Sequence, residues 1–289
     1  MKVIKNVWKI ICYPLMYIGI QTVVVFLYLF VLGFGMAMQL AIENIASGEV
    51  LQVENIDIEG MSEQLLSQFD IKVPLVISIF ITLFVLFLIM KTEWAENKFW
   101  SFNKIKFYPV FLCVVLGIFF NFFTVGAMNL MPLREQEQNL YNMLGTNLTF
   151  EIISIAMLTP ILEELIFRGI VQKRLTLKMR ISSALILQAL IFSFFHFNLL
   201  QGVYIFVLGI IIGMIYIWFD SIWYSVLIHG VYNATSVVIF HTVAEREISV
   251  SYLMILAGVS LVISIFSLVL LFDKRNKSEP IEPNEMDKG

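Results

Sequence analysis

The sequence predicts an all-α, polytopic membrane protein with about eight transmembrane helices and a polar cavity inside the membrane. Of the 289 residues, 59% are hydrophobic and only 14% are charged, and the mean hydropathy is +0.86. A soluble globular domain has about 25% charged residues. The apolar residues fall in runs near the ~20 residues that a membrane helix needs. The basic residues gather in every second connecting segment.

The first run follows Lys2, Lys5 and Lys9 and continues to about Ile42. A cleaved signal peptide has an apolar core of only about 7–15 residues, so this reads as an uncleaved first helix. The eight spans are expected at 12–40, 73–90, 107–130, 149–171, 181–197, 200–219, 222–241 and 250–272. Asp220 and Ser221 alone separate two of them, which predicts a tight hairpin. Gly209 and Gly213 form a GxxxG on the sixth span, a spacing that permits close helix contact. Cys12 and Cys113 are isolated in apolar spans and read as small buried hydrophobes.

Lys and Arg counts set the expected orientation. One side carries the N-terminal lysines, Lys91, Lys98, Lys104 and Lys106, then Lys173, Arg174, Lys178 and Arg180, and finally Lys274, Arg275, Lys277 and Lys288. The other side carries only Lys72, Arg134 and Arg246. Both termini are therefore expected in the cytoplasm, with the chain multi-pass in a cell membrane. The expected organisation has four parts. Residues 1–147 hold the first three helices and an external acidic loop at 43–72. Residues 148–240 form a core, 241–272 the last helix, and 273–289 a disordered cytoplasmic tail. No nucleic-acid partner is expected; the lipid bilayer is the evident one.

Chemistry concentrates in the core. The fourth span contains Glu163-Glu164-Leu-Ile-Phe-Arg168, three charges within six residues of an otherwise apolar run. Each charge at bilayer depth costs at least ~2.5–3.5 kcal/mol on insertion scales, so such residues are usually functional. Glu164 and Arg168 are four apart and can pair along one helix face. Glu163 is rotated about 100° from its neighbour, which leaves it available for other work. Pro160 lacks a backbone N–H and is expected to distort the helix just before the acids. A buried ion-pair lock between helices is the competing explanation.

The chain has three histidines. His196 ends Phe192-Ser-Phe-Phe-His196, and His229 opens His229-Gly-Val-Tyr-Asn233. His229 and Asn233 share a helix face. His241 lies at a predicted span boundary and reads as incidental. A lone histidine on an apolar helix is more often a hydrogen-bonded core residue, but two of them with a double acid are harder to explain that way. Spans four and five form a hairpin that turns near Lys178, with Glu163 15 residues before it and His196 18 after. At 1.5 Å per residue the two side chains come within about 5 Å of one level. His229, nine residues after Asp220, reads as shallower.

A glutamate beside a histidine can activate water as a general base. Imidazole and carboxamide groups can stabilise the oxyanion formed at a carbonyl. Amide hydrolysis at the membrane follows. The same residue types, Glu163, His196 and His229, would also suit a catalytic zinc, although no HExxH is present. A serine mechanism lacks its Gly-x-Ser-x-Gly elbow. An ion transporter would use intramembrane acids too, but no paired broken helices mark matching halves.

Glu-Glu-x-x-x-Arg, then Phe-x-x-x-His, then His-x-x-x-Asn, each on its own span, resembles the CPBP family of CAAX prenyl endopeptidases and bacterial Abi-type proteins. The motifs match at Glu163, Glu164 and Arg168, at Phe192 and His196, and at His229 and Asn233, over roughly residues 148–240. The resemblance implies an eight-helix intramembrane endopeptidase acting on a membrane-associated or lipid-modified peptide or protein. It implies that Glu163 with His196 activates water, that Glu164 with Arg168 organises the site, and that His229 with Asn233 forms the oxyanion hole. It weighs slightly against a metal cofactor and leaves zinc as the alternative. A non-enzymatic scaffold or bacteriocin-immunity protein of the same family is the other functional reading. Short loops rich in Ile, Phe and Lys look bacterial.

Overall fold

A computed structural model describes residues 2–47, 58–97, 101–128, 147–196, 198–243 and 248–275. The tail beyond residue 275 and part of the acidic loop lie outside the described residues. Regular structure among the described residues is helical, apart from one isolated bridge between Phe102 and Ser221. The chain divides into two compact units, 1–97 with 133–162, and 98–132 with 163–289.

In the first unit, α1 (Lys2–Ser47) packs against α3 (Lys72–Asn97). Between them α2 (Ile58–Gln68) replaces part of the loop expected at 43–72. Acidic residues there mask the apolar pair Met61 and Leu65, four apart on the helix, and Tyr28 of α1 meets Phe69 at 5.7 Å between ring centres. Lys72 and Glu151 are both buried and sit 3.6 Å apart, each offsetting the desolvation of the other.

The fourth predicted span is helical throughout but not regular. It runs as α5 (Leu148–Glu151), a π-helix π1 (Ile152–Leu158), α6 (Thr159–Glu164), a second π-helix π2 (Leu165–Gln172) and α7 (Lys173–Thr176). Pro160 cannot donate to the turn before it, and that turn widens instead of breaking. Thr159 Oγ1 donates to Ser154 O, five residues back, at 2.9 Å. The two π segments bracket the paired acids, and such segments are frequent at functional sites.

In the second unit, α4 (Phe107–Met128) packs on α10 (Ile222–Val243) and α11 (Val250–Asp273). The helices α8 (Ile181–Phe194) and α9 (Leu199–Phe219) pack on each other, and α9 also meets α10. Leu116, Phe120, Ile212, Ile215, Tyr224 and Ile228 fill the core between α4, α9 and α10. Polar contacts fix α10 at its middle and at its start. Asn121 Nδ2 donates to Tyr232 O at 3.1 Å. At its start the expected hairpin is present, with Asp220 in the left-handed region at φ 44°. Its carboxylate accepts from Ser101 Oγ at 2.6 Å and from Asn103 Nδ2 at 2.9 Å. Tyr224 OH accepts from Lys106 N at 2.7 Å.

Six of the described helices are long and apolar enough to cross a membrane, within the ranges Ile10–Ala46, Lys72–Ile89, Phe107–Met128, Gln201–Phe219, Ile222–Thr242 and Val250–Asp273. The chain is a multi-pass, all-α membrane protein. The two further spans in the expected count of eight are the polar, π-interrupted stretch and α8. At 14 residues α8 is about 21 Å long, short of the ~30 Å hydrocarbon core. It ends at Phe194, so His196 lies in the turn after the helix and not within it.

Candidate active site

Glu163 and Glu164 close α6, Arg168 lies in π2, His196 follows α8, and His229 and Asn233 lie on α10. All six belong to the second unit. Arg168 Nη1 donates to Glu164 Oε1 at 2.9 Å, and both residues are fully buried. This is the i,i+4 pair read from the sequence.

His229 comes to the same carboxylate. Its Nδ1 lies 2.8 Å from Glu164 Oε1. A carboxylate only accepts, so Nδ1 is the donor and the ring orientation is fixed. Nε2 then lies 3.9 Å from Glu163 Oε2. His229 is therefore level with the acids, and the shallower position read from residue counting does not hold. That count assumed untilted helices starting at a common level.

The two acids differ in surroundings. Glu164 is 0% exposed and held by Arg168 and His229, whereas Glu163 is 9% exposed. Glu163 Oε2, Glu164 Oε2 and Arg168 Nε are each buried without a hydrogen-bond partner among the described residues. A closed ion-pair lock would satisfy these atoms, because buried polar groups are otherwise expensive.

The Phe192 ring joins the elements. The Arg168 guanidinium carbon sits 4.5 Å from its centre, a cation–π contact worth ~2 kcal/mol when desolvated. The His196 and His229 rings meet it edge-on, at 4.9 and 5.7 Å. His196 Nδ1 donates to Phe192 O at 2.9 Å, which leaves Nε2 as its acceptor. Among the described residues no hydrogen bond or ion pair links His196 directly to Glu163. Asn233 is half-buried, one turn on from His229.

Glu163, Glu164, Arg168 and His229 thus form one contact cluster, and His196 touches it through Phe192. Two buried amides, Gln172 and Gln188, were not singled out by sequence reasoning; Gln188 shares the Gly209 carbonyl with Arg168, and Gln172 bonds Gly213 O. The signal was present: Gln172 follows Arg168 by four residues, and Gln188 precedes Phe192 by four. Among the described residues no three His, Cys, Asp or Glu side chains are grouped so as to hold a metal ion. His229 and His196 each use Nδ1 within the protein, on Glu164 and on a carbonyl, and keep Nε2 for another partner.

No curated protein and no solved structure matches the chain. Residues 145–235 match the family described as Type II CAAX prenyl endopeptidase Rce1-like. The matched stretch holds all six site residues and ends two residues after Asn233. The similarity to that family is confined to residues 145–235, about a third of the chain.

Proposed function

We propose that the protein is an intramembrane endopeptidase that hydrolyses a peptide bond of a membrane-associated substrate, with Glu163 as general base. The different surroundings of the two adjacent acids carry this reading. Glu164 is fully buried with Arg168 and His229 both donating to its Oε1, while Glu163 is 9% exposed and its Oε2 lies 3.9 Å from His229 Nε2 without a hydrogen bond.

In this mechanism Glu163 takes a proton from water, and the resulting hydroxide attacks the scissile carbonyl carbon. His196, with Nδ1 on its own helix, offers Nε2 to orient that water. The carbonyl oxygen becomes an oxyanion, which His229 Nε2–H and Asn233 receive. This step asks for the imidazolium form of His229, with Glu164 balancing its charge. Collapse of the intermediate breaks the C–N bond, and the proton held by Glu163 passes to the leaving amine. The net change is one water added across the amide. The substrate reaches the site from the bilayer of a cell membrane, in a chain with both termini cytoplasmic.

The test is reconstitution of wild type and Glu163→Gln with a library of membrane-anchored peptides, with and without chelator. Cleavage by wild type, unaffected by chelator and lost in Glu163→Gln, is the expected result. Cleavage that survives Glu163→Gln removes the base, and biological activity that survives it without any cleavage favours a scaffold.

A further inference from the structure

Two buried amides lie outside the site, each four residues from one of its motif residues. Gln172 and Gln188 are both fully buried and meet α9 at Gly213 and Gly209. Gln188 Nε2 donates to Gly209 O at 2.9 Å, and Gln172 Nε2 donates to Gly213 O at 2.9 Å. The missing side chains let the amides in: a Cβ at Gly213 would lie 2.8 Å from Gln188 Nε2 and 3.0 Å from Gln172 Oε1.

Gly209 O has a second side-chain donor. Arg168 Nη2 reaches it at 3.4 Å, a length at which the bond is weak, whereas Gln188 holds it at the optimum. Two donors share one acceptor, and the amide has the better bond. The guanidinium makes its own short bond to Glu164 instead, at 2.9 Å.

We propose that Gln188 is a positioning residue. By filling the Gly209 carbonyl it keeps Arg168 on Glu164, and through Glu164 it holds His229. Without the amide, Arg168 becomes the only side-chain donor to that buried carbonyl among the described residues. The carbonyl then draws the guanidinium toward α9 and loosens the Glu164–His229 contact. Gln172 has a different task, because its acceptor is not shared with Arg168. It ties π2 to α9 and no more. The kinetic part of this inference rests on the endopeptidase reading; the geometric part does not.

The test compares wild type, Gln188→Met and Gln172→Met in lipid nanodiscs. Methionine keeps the length and removes the donor. Ring-nitrogen NMR of labelled histidine reports the His229 Nδ1 hydrogen bond, assigned with His229→Gln. Cleavage kinetics use a fluorescent membrane-anchored peptide selected from the library by wild-type cutting. Gln188→Met is expected to shift the His229 Nδ1 resonance and to lower kcat about tenfold with KM within about twofold. Gln172→Met is expected to lower the melting temperature and leave both readouts at wild-type values. Gln188→Asn, which keeps the amide but is one methylene too short, should behave as Gln188→Met and serves if that variant fails to fold. An unchanged His229 resonance in the Gln188 variants, or a kcat equal to that of Gln172→Met, overturns the proposal. If wild type cuts no peptide the endopeptidase reading fails, and the His229 resonance still decides the role of Gln188.

Discussion

Replacing Arg168 with Met should destabilise the fold severely, and replacing Glu164 with Gln in the same chain should add little to the loss. The guanidinium is fully buried, 2.9 Å from Glu164 Oε1 and 4.5 Å from the centre of the Phe192 ring. Its removal leaves the Glu164 carboxylate buried with His229 as its remaining partner. Breaking a buried ion pair by removing one member costs ~3–5 kcal/mol. At ~2–4 °C per kcal/mol for a chain of this size, Arg168→Met should melt about 6–20 °C below wild type. Glu164→Gln alone loses the charged acceptor of two donors, ~1.5–3 kcal/mol. Independent effects would sum to about 4.5–8 kcal/mol. With the charge gone, the double variant strands no carboxylate and should lose less than that sum by ~2–3 kcal/mol. Thermal denaturation of the four proteins in one detergent measures the cycle. Losses that add to within ~0.5 kcal/mol would refute the claim that the two residues act as one buried unit.

Two further outcomes follow from the helix contacts. Gly213→Ala places a methyl 2.6 Å from Leu185 Cδ1 and 2.8 Å from Gln188 Nε2, and should destabilise by ~1–3 kcal/mol in the same melts. Asp220→Ala removes the acceptor for Ser101 and Asn103 and puts alanine at φ 44°, so limited proteolysis should cut near residues 101–106 faster than in wild type. Asp220→Asn, which tolerates that conformation and keeps a side-chain oxygen, should be the milder change.

The charged motif was legible because a membrane tolerates few charges, so Glu163, Glu164 and Arg168 stand out against Leu, Ile and Phe. Their pairing was legible because four residues make one helical neighbour. The place of His229 was not, since counting from Asp220 cannot register where a helix starts or how it tilts. The π segments were hidden as well: a one-residue change in hydrogen-bond register leaves the apolar pattern of Ile152–Leu158 almost unaltered. The helix α2 was obscured by its acids, although its apolar pair was readable. Gln172 and Gln188 were overlooked because an amide carries no charge to draw attention, yet each lies four residues from a motif residue already in view.

The π-helix π2 has a consequence for the length of the chain. Each of its turns encloses one residue more than an α-turn, so the stretch from Leu165 to Gln172 holds slack that a regular helix would not. Deleting one residue between Gly169 and Val171 gives the backbone a route back to α register. Glu163, Glu164 and Arg168 lie upstream of that deletion and keep their mutual spacing, while Gln172 then follows Arg168 by three α residues, about 300° around the axis and close to the face it holds over four wider π residues. The wide turns are thus a place where the chain can lose a residue without turning the charged motif and its neighbouring amide onto opposite faces.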